Sequence, residues 1–182
     1  MAKIGVFFAT GYEECEALLV VDICRRAQIE VEMVSVTGEQ TVTSSHGVTV
    51  VMDKKLAEVN FGGLDMIVLP GGMPGTTNLE ACEPLMQQVD AFYAAGKCVS
   101  AICAAPSIFG HKGILKGRDA VCYPSFESHL EGAKVSAQSV AVSDHVTTSR
   151  GLGTAIDFGL AIVERFEGKE KADQIAKAII YK

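Results

Sequence analysis

The chemistry this chain could carry concentrates at Ile102-Cys103-Ala104-Ala105-Pro106, where an apolar run meets a helix-compatible stretch with no turn residue between. A side chain at so sharp a strand-to-helix junction projects from the sheet edge. Its neighbours must be small, because backbones approach closely there. Ala101, Ala104 and Ala105 meet that demand. A helix starting beyond Cys103 would turn free N–H groups and a partial positive charge toward the sulfur, favouring thiolate over thiol. The same pattern also fits a small apolar cysteine packed at a strand end, and spacing leaves both readings open.

Two other junctions compete for a site. Pro70-Gly71-Gly72-Met73-Pro74-Gly75 could turn main-chain N–H groups toward a ligand and supply a donor of an oxyanion hole, or be a plain tight turn. It lacks the Lys-Ser/Thr ending of a phosphate-binding loop. Gly11-Tyr12-Glu13-Glu14-Cys15-Glu16 enters a long helical stretch. Carboxylates at a helix start complement its dipole, and Glu13 and Glu14 are expected to face water. Glu16 differs, because residues 17–21 beside it are apolar. A carboxyl held there tends to keep its proton and donate a hydrogen bond. Gly151-Leu152-Gly153 resembles the start of a dinucleotide fingerprint, but Ile156 fills the third glycine place.

His46, His111, His129 and His145 stand in polar or turn-like contexts and read as solvated loop histidines. Cys15, Cys24, Cys82, Cys98 and Cys122 read as packing residues, with Cys122 the candidate resolving thiol. No Cys-x-x-Cys pair and no zinc-finger spacing to histidine occurs, so no metal is expected.

The elements that must position these junctions follow from periodicity. Residues 3–8, 29–36, 66–69 and 98–102 read as strands, with shorter pieces at 120–122, 140–142 and 146–148. Residues 41–43 and 48–52 straddle Ser-Ser-His-Gly as a hairpin excursion. Helices are expected over 13–27, from Pro84 to Gly96, from 155 to 166 and over 172–179, with Thr154 and Asp157 as a capping box. The first is apolar round most of its circumference between Ala17 and Cys24, as in a helix sandwiched in a core or shared with a second subunit. Strands alternating with helices predict an α/β fold, a mostly parallel sheet covered on both faces, in one domain over 1–182, with ligands at the carboxyl ends of strands.

With 182 residues, 48% hydrophobic, and a net charge of −6, the chain can fill a core but offers no basic stripe or polybasic cluster. Nucleic acid and anionic membranes are therefore not expected partners. No apolar run approaches the roughly 18 residues that span a bilayer, and no signal segment is recognisable. A soluble, cytoplasmic protein is expected, with no disulfide framework among its six cysteines.

Lys3-Ile4-Gly5-Val6 through Glu16, Val68-Leu69-Pro70-Gly71-Gly72, Ala101 to Pro106, and Thr148 to Thr154 resemble the ThiJ/PfpI family, in order and over essentially the whole chain. Within it, the chain is most similar to the branch containing the human parkinsonism-associated deglycase and bacterial YajL-like proteins. The resemblance implies a flavodoxin-like three-layer sandwich, a homodimer, and Cys103 as elbow nucleophile. It also implies Glu16 as a protonated partner that hydrogen bonds the sulfur and stabilises its sulfinate, and Gly72 and Ala104 as oxyanion donors. The implied activity needs no cofactor. It protects against α-oxoaldehydes such as methylglyoxal, as a glutathione-independent glyoxalase or as a deglycase of early adducts on proteins and amino acids. Oxidation sensing or chaperone behaviour through Cys103 is the alternative. Proteolytic members carry histidine where this chain has Ala104, which argues against a peptidase or amidase. Tyr123 stands where the branch has a histidine near the cysteine, and His46 where it has an arginine; with Arg26 these are the auxiliary candidates.

Overall fold

Lys3–Phe8 forms strand β1, and its apolar side chains divide between two cores, Ile4, Val6 and Phe8 on one face and Phe7 on the other. That alternation makes the strand the central partition of a computed structural model that describes residues 1–181. Helix α1, Glu14–Arg26, follows, with Glu14 and Glu16 in its first turn and Arg25 and Arg26 in its last, both complementing the dipole. Strand β2 spans Glu30–Ser35, and the hairpin β3 (Thr41–Thr43) and β4 (Thr49–Val51) forms a separate two-stranded sheet. Next come β5 (Lys54–Lys55), β6 (Met66–Leu69), α2 (Gly75–Glu80), α3 (Glu83–Ala94) and β7 (Cys98–Ile102). After α4 (Pro106–His111), the pair β8 (Asp119–Ala120) and β9 (Lys134–Val135) stands apart. Strands β10 (Val140–Ser143) and β11 (Val146–Ser149) lead into α5 (Ala155–Glu167) and α6 (Lys169–Ala178).

The main sheet has the order β10-β11-β7-β6-β1-β2-β5, parallel throughout except for β10 against β11. Helices α1, α5 and α6 pack one face through Val20, Ile23, Phe158, Ile162 and Ile175. Leu85, Val89 and Phe92 of α3 and Ile108 and Phe109 of α4 pack the other. The result is the expected three-layer, flavodoxin-like α/β architecture. The chain leaves β1 for β2 on one side and returns to β6 on the other, so the order reverses between β1 and β6. Loops at such a reversal part and leave a crevice at the carboxyl ends of the strands.

Several local expectations are corrected. Glu13 does not face water: it is buried, and its side chain caps α1 by accepting from the Glu16 N–H at 2.6 Å. Thr154 and Asp157 form no capping box for α5, because Thr154 Oγ1 is engaged by Ser149 Oγ at 2.7 Å and Asp157 accepts from the Tyr181 hydroxyl at 2.9 Å. Cys15 is exposed rather than packed. His145 is not solvated: its side chain is 15% exposed and its ring lies against Tyr93. The short elements β5, α2 and β9 carry too few periodic residues to be read from the sequence, and the strand expected at 120–122 forms one position earlier, as β8 at Asp119–Ala120. Among the described residues, no helix is long and apolar enough to cross a membrane.

The contact between α1 and α5 closes around Gly159, where a Cβ would lie 2.9 Å from Ile23 Cδ1 and 3.2 Å from Ile23 Cβ. Gly159→Val should therefore destabilise the protein by about 1–3 kcal/mol through overpacking. Urea unfolding midpoints measure this, and an unchanged midpoint would remove the close-contact account.

Candidate active site

Three loops meet at the crevice. The one after β1 is tied to the one after β6 by Glu13 N–H donating to Gly71 O at 2.9 Å and Gly75 N–H donating to Gly11 O at 3.0 Å. The approach is so close that side chains have no room. A Cβ on Gly72, whose φ is +88°, would sit 2.4 Å from the Glu13 nitrogen. One on Gly71 would sit 2.5 Å from Cys103 Cβ and 2.6 Å from Glu16 Oε2. The third loop is the elbow itself. Cys103 has φ of +67°, a left-handed backbone that non-glycine residues rarely adopt and that costs about 1–2 kcal/mol. Hydrogen bonds on both sides hold it there: Cys103 N–H donates to Ser149 O at 3.0 Å, and Tyr123 N–H donates to Cys103 O at 2.8 Å.

This backbone aims the sulfur at Glu16. The Glu16 carboxyl, 1% exposed, hydrogen bonds Cys103 and accepts from the Gly71 N–H at 3.0 Å, with the Leu152 N–H as a further donor. The N–H groups of Gly72 and Ala104 point at the sulfur. The structure thus brings together Cys103, Glu16, Gly72 and Ala104, from α1 and two different loops.

Burial pushes the Glu16 carboxyl up to about 7, against the pull of Cys103 and the two N–H donors, with Glu13 adding to the rise. Burial, then the charge of Glu16 and its hydrogen bond, push the Cys103 thiol up to about 12, against the pull of Gly72 and Ala104. The expected thiolate set by a helix N-terminus is therefore corrected. Helix α4 has only six residues, and the N–H groups of Ala105, Ser107 and Ile108 donate to the carbonyls of Ile102, Ala104 and Ala105 rather than to the sulfur. The removal of water therefore outweighs its dipole. The two groups titrate as a pair: above about 7 they share one proton and one negative charge.

The auxiliary candidates separate. Tyr123 is 49% exposed and stands at the mouth, where a Cβ on Gly151 would be 3.4 Å from its ring and 3.7 Å from Glu16 Oε1. His46 lies on the hairpin turn, exposed, with Nδ1 3.0 Å from Glu14 Oε1, which raises the imidazole. The hairpin itself is anchored to the β1 loop by Gly11 N–H to Thr43 O and Ser45 N–H to Tyr12 O. Glu13, Glu14 and His46 offer ligand atoms within 4.8 Å of one another, but the Glu13 carboxylate is already committed to its cap. Arg26 is not at the site. It ends α1 about 18 Å from Glu14 along the helix, paired with Asp22 at 2.6 Å. Cys122 is buried and pushed up to about 11, which opposes a resolving role. Gly71 and Leu152 are contributors that residue type alone did not single out. A Gly-Gly pair and the Gly-Leu-Gly turn mark their places, but neither pattern names the carboxyl they serve.

A profile of the DJ-1/PfpI family matches residues 2–165. "Protein DJ-1 homolog B" of Arabidopsis thaliana is 36% identical over 180 residues, covering 98% of this chain; the chain spans only 41% of that protein. "Glutathione-independent glyoxalase DJR-1.2" of Caenorhabditis elegans is 32% identical over 92% of this chain and 89% of its own length. A solved structure titled "Toxoplasma gondii DJ-1, oxidized" superposes with a TM-score of 0.95 at 36% identity, covering 100% of this chain and 99% of that one.

A folded-state pKa raised from 4.5 to about 7 makes Glu16 stabilising below 4.5 and removes that contribution as pH rises through 7. Wild type should therefore lose about 3 kcal/mol relative to Glu16→Gln between pH 4.5 and 7.5. Denaturant titrations across that range measure it; a constant difference would show that the carboxyl is not held in a dry site.

Proposed function

The chain belongs to the DJ-1/PfpI family, and from that premise we propose that it is a cysteine-dependent enzyme acting on reactive α-oxoaldehydes, a glutathione-independent glyoxalase with deglycation of early adducts as the related activity. The observation that carries this reading is the sulfur of Cys103 on a strained elbow, with Glu16 and two main-chain N–H groups around it. The name of the nematode relative supports it.

In this mechanism the sulfur adds to the aldehyde carbon of methylglyoxal as Glu16 takes the thiol proton. The new C–O⁻ lies against the Gly72 and Ala104 N–H groups, is stabilised there and then protonated. Glu16, having given that proton and again a carboxylate, removes the hydrogen of that carbon and delivers it to the neighbouring carbon. The hydroxyl proton passes from the first oxygen to the former ketone oxygen, leaving a thioester of lactate. Water hydrolyses the thioester, releasing lactate and the thiol. The sum is methylglyoxal plus water to lactate, with no redox partner. A carboxyl with a pKa near 7 suits both halves of this work, since it is close to evenly poised at neutral pH. Among the described residues no histidine hydrogen bonds the sulfur, which fits the absence of a histidine at position 104 and speaks against a peptidase. The substrate reaches the site as a small carbonyl or as a glycated side chain. The half-covered Leu18 and Leu19 on α1 support a homodimer.

A second reading has one observation in its favour. The three donors around the sulfur would also hold the oxygens of a sulfinate made by two equivalents of peroxide, each releasing water, and a structural relative's title calls it oxidized. A two-oxygen mass gain at Cys103 with negligible turnover would favour sensing over catalysis.

Cys103→Ser should abolish lactate formation, and Glu16→Gln should lower kcat by about 10²-fold or more. Wild-type kcat/KM should climb about tenfold per pH unit up to near 7 and then level, as the pair loses its first proton. Equal rates in wild type and Cys103→Ser would end the enzymatic reading.

A further inference from the structure

Away from the crevice, two exposed histidines are held in direct contact beside a carboxylate. Helix α4 ends on His111, and the short turn Glu127–His129 lies beside it. Gly110 allows that approach, since a Cβ there would be 1.9 Å from His129 O and 2.9 Å from its carbonyl carbon. Backbone is thus laid directly on backbone, which brings His111 Nε2 to 2.9 Å from His129 Nδ1. On its other side, His111 Nδ1 lies 2.6 Å from Glu80 Oε1 at the end of α2. A carboxylate there holds the His111 proton on Nδ1 and leaves the Nε2 lone pair facing His129, the usual arrangement behind a metal-bound imidazole. Both rings are exposed, and His111 and Glu131 line one shallow cavity of about 310 Å³.

We propose that His111 and His129 form a binding site for a divalent transition-metal ion that favours imidazole, such as Ni²⁺ or Cu²⁺, with Glu80 orienting His111. The 2.9 Å contact is a hydrogen bond between the rings, and an ion would take the place of its hydrogen once the exposed rings turn to converge on it. Imidazole nitrogens suit such late first-row ions. Binding requires no net proton release: His129 moves its hydrogen from Nδ1 to the outer Nε2, and the freed lone pair takes the ion. Water fills the remaining positions. The ion would clasp the end of α4 to the turn, tying together segments that begin near Cys103 and Tyr123. This holds whether or not the crevice is a glyoxalase.

The test is a ¹⁵N–¹H spectrum of the tag-free chain with sub-stoichiometric NiCl₂. Paramagnetic broadening should centre on amides 108–113 and 126–131 and vanish in His111→Ala and in His129→Ala. Calorimetric affinity should fall at least tenfold in either variant and about tenfold in Glu80→Gln. His129→Gln provides a second exposed change, and unaltered unfolding in EDTA certifies the fold of each variant. Broadening centred on residues 13–16 and 44–47, at the cysteines, or indifferent to both histidine substitutions would overturn the proposal.

Discussion

The site depends on one proton held between the Glu16 carboxyl and the Cys103 sulfur in a place with little water. Desolvation raises both groups; at Glu16 the Cys103 hydrogen bond and the Gly71 and Leu152 N–H groups oppose it, and at Cys103 the N–H groups of Gly72 and Ala104 do. Neither group is then strongly charged on its own account, yet the pair carries one negative charge above neutrality. Such a pair can make a sulfur nucleophilic at the moment of attack and store its proton close by. A solvated thiol and a solvated carboxylate would each be stable alone and would gain little from the other.

The architecture serves this contact by removing side chains. Two glycines, Gly71 and Gly72, stand where any Cβ would strike Cys103, Glu16 or the Glu13 backbone. The left-handed backbone at Cys103 is strained, and the parallel strands β7 and β11 hold it, since Ile102 is in register with Ser149 and Cys103 donates to the same residue. Strain of about 1–3 kcal/mol at a reactive residue persists because the surrounding sheet over-determines it. The same economy recurs at Gly110, where backbone contact rather than a side chain fixes the position of a neighbouring histidine.

The acidic side chains that flank Glu16 are already engaged. Glu13 caps α1 and Glu14 holds His46, while Arg26 lies away from the crevice, paired at the far end of the helix. What remains at the mouth is Tyr123, which is broad and half-exposed. In the proposed mechanism proton transfer at the sulfur rests on Glu16, and the mouth contributes shape more than charge.

The sequence alone determined the fold class and the three junctions, because near-continuous apolar strands at 3–8, 66–69 and 98–102 bury on both faces and leave few arrangements other than a parallel sheet between helices. It also determined which residue types gather at the strand ends: a cysteine among alanines, a glycine pair, and a glutamate against an apolar helix face. It could not determine that Glu13 turns inward as a cap, that His145 packs on Tyr93, or that Arg26 lies remote, since a helix start, a turn and a basic residue look the same whether solvated or covered. The charge of Cys103 was likewise beyond it. A helix dipole is visible in sequence order, but burial and the distance to Glu16 exist only after β1, β6 and β7 are laid side by side, and desolvation then outweighs the dipole.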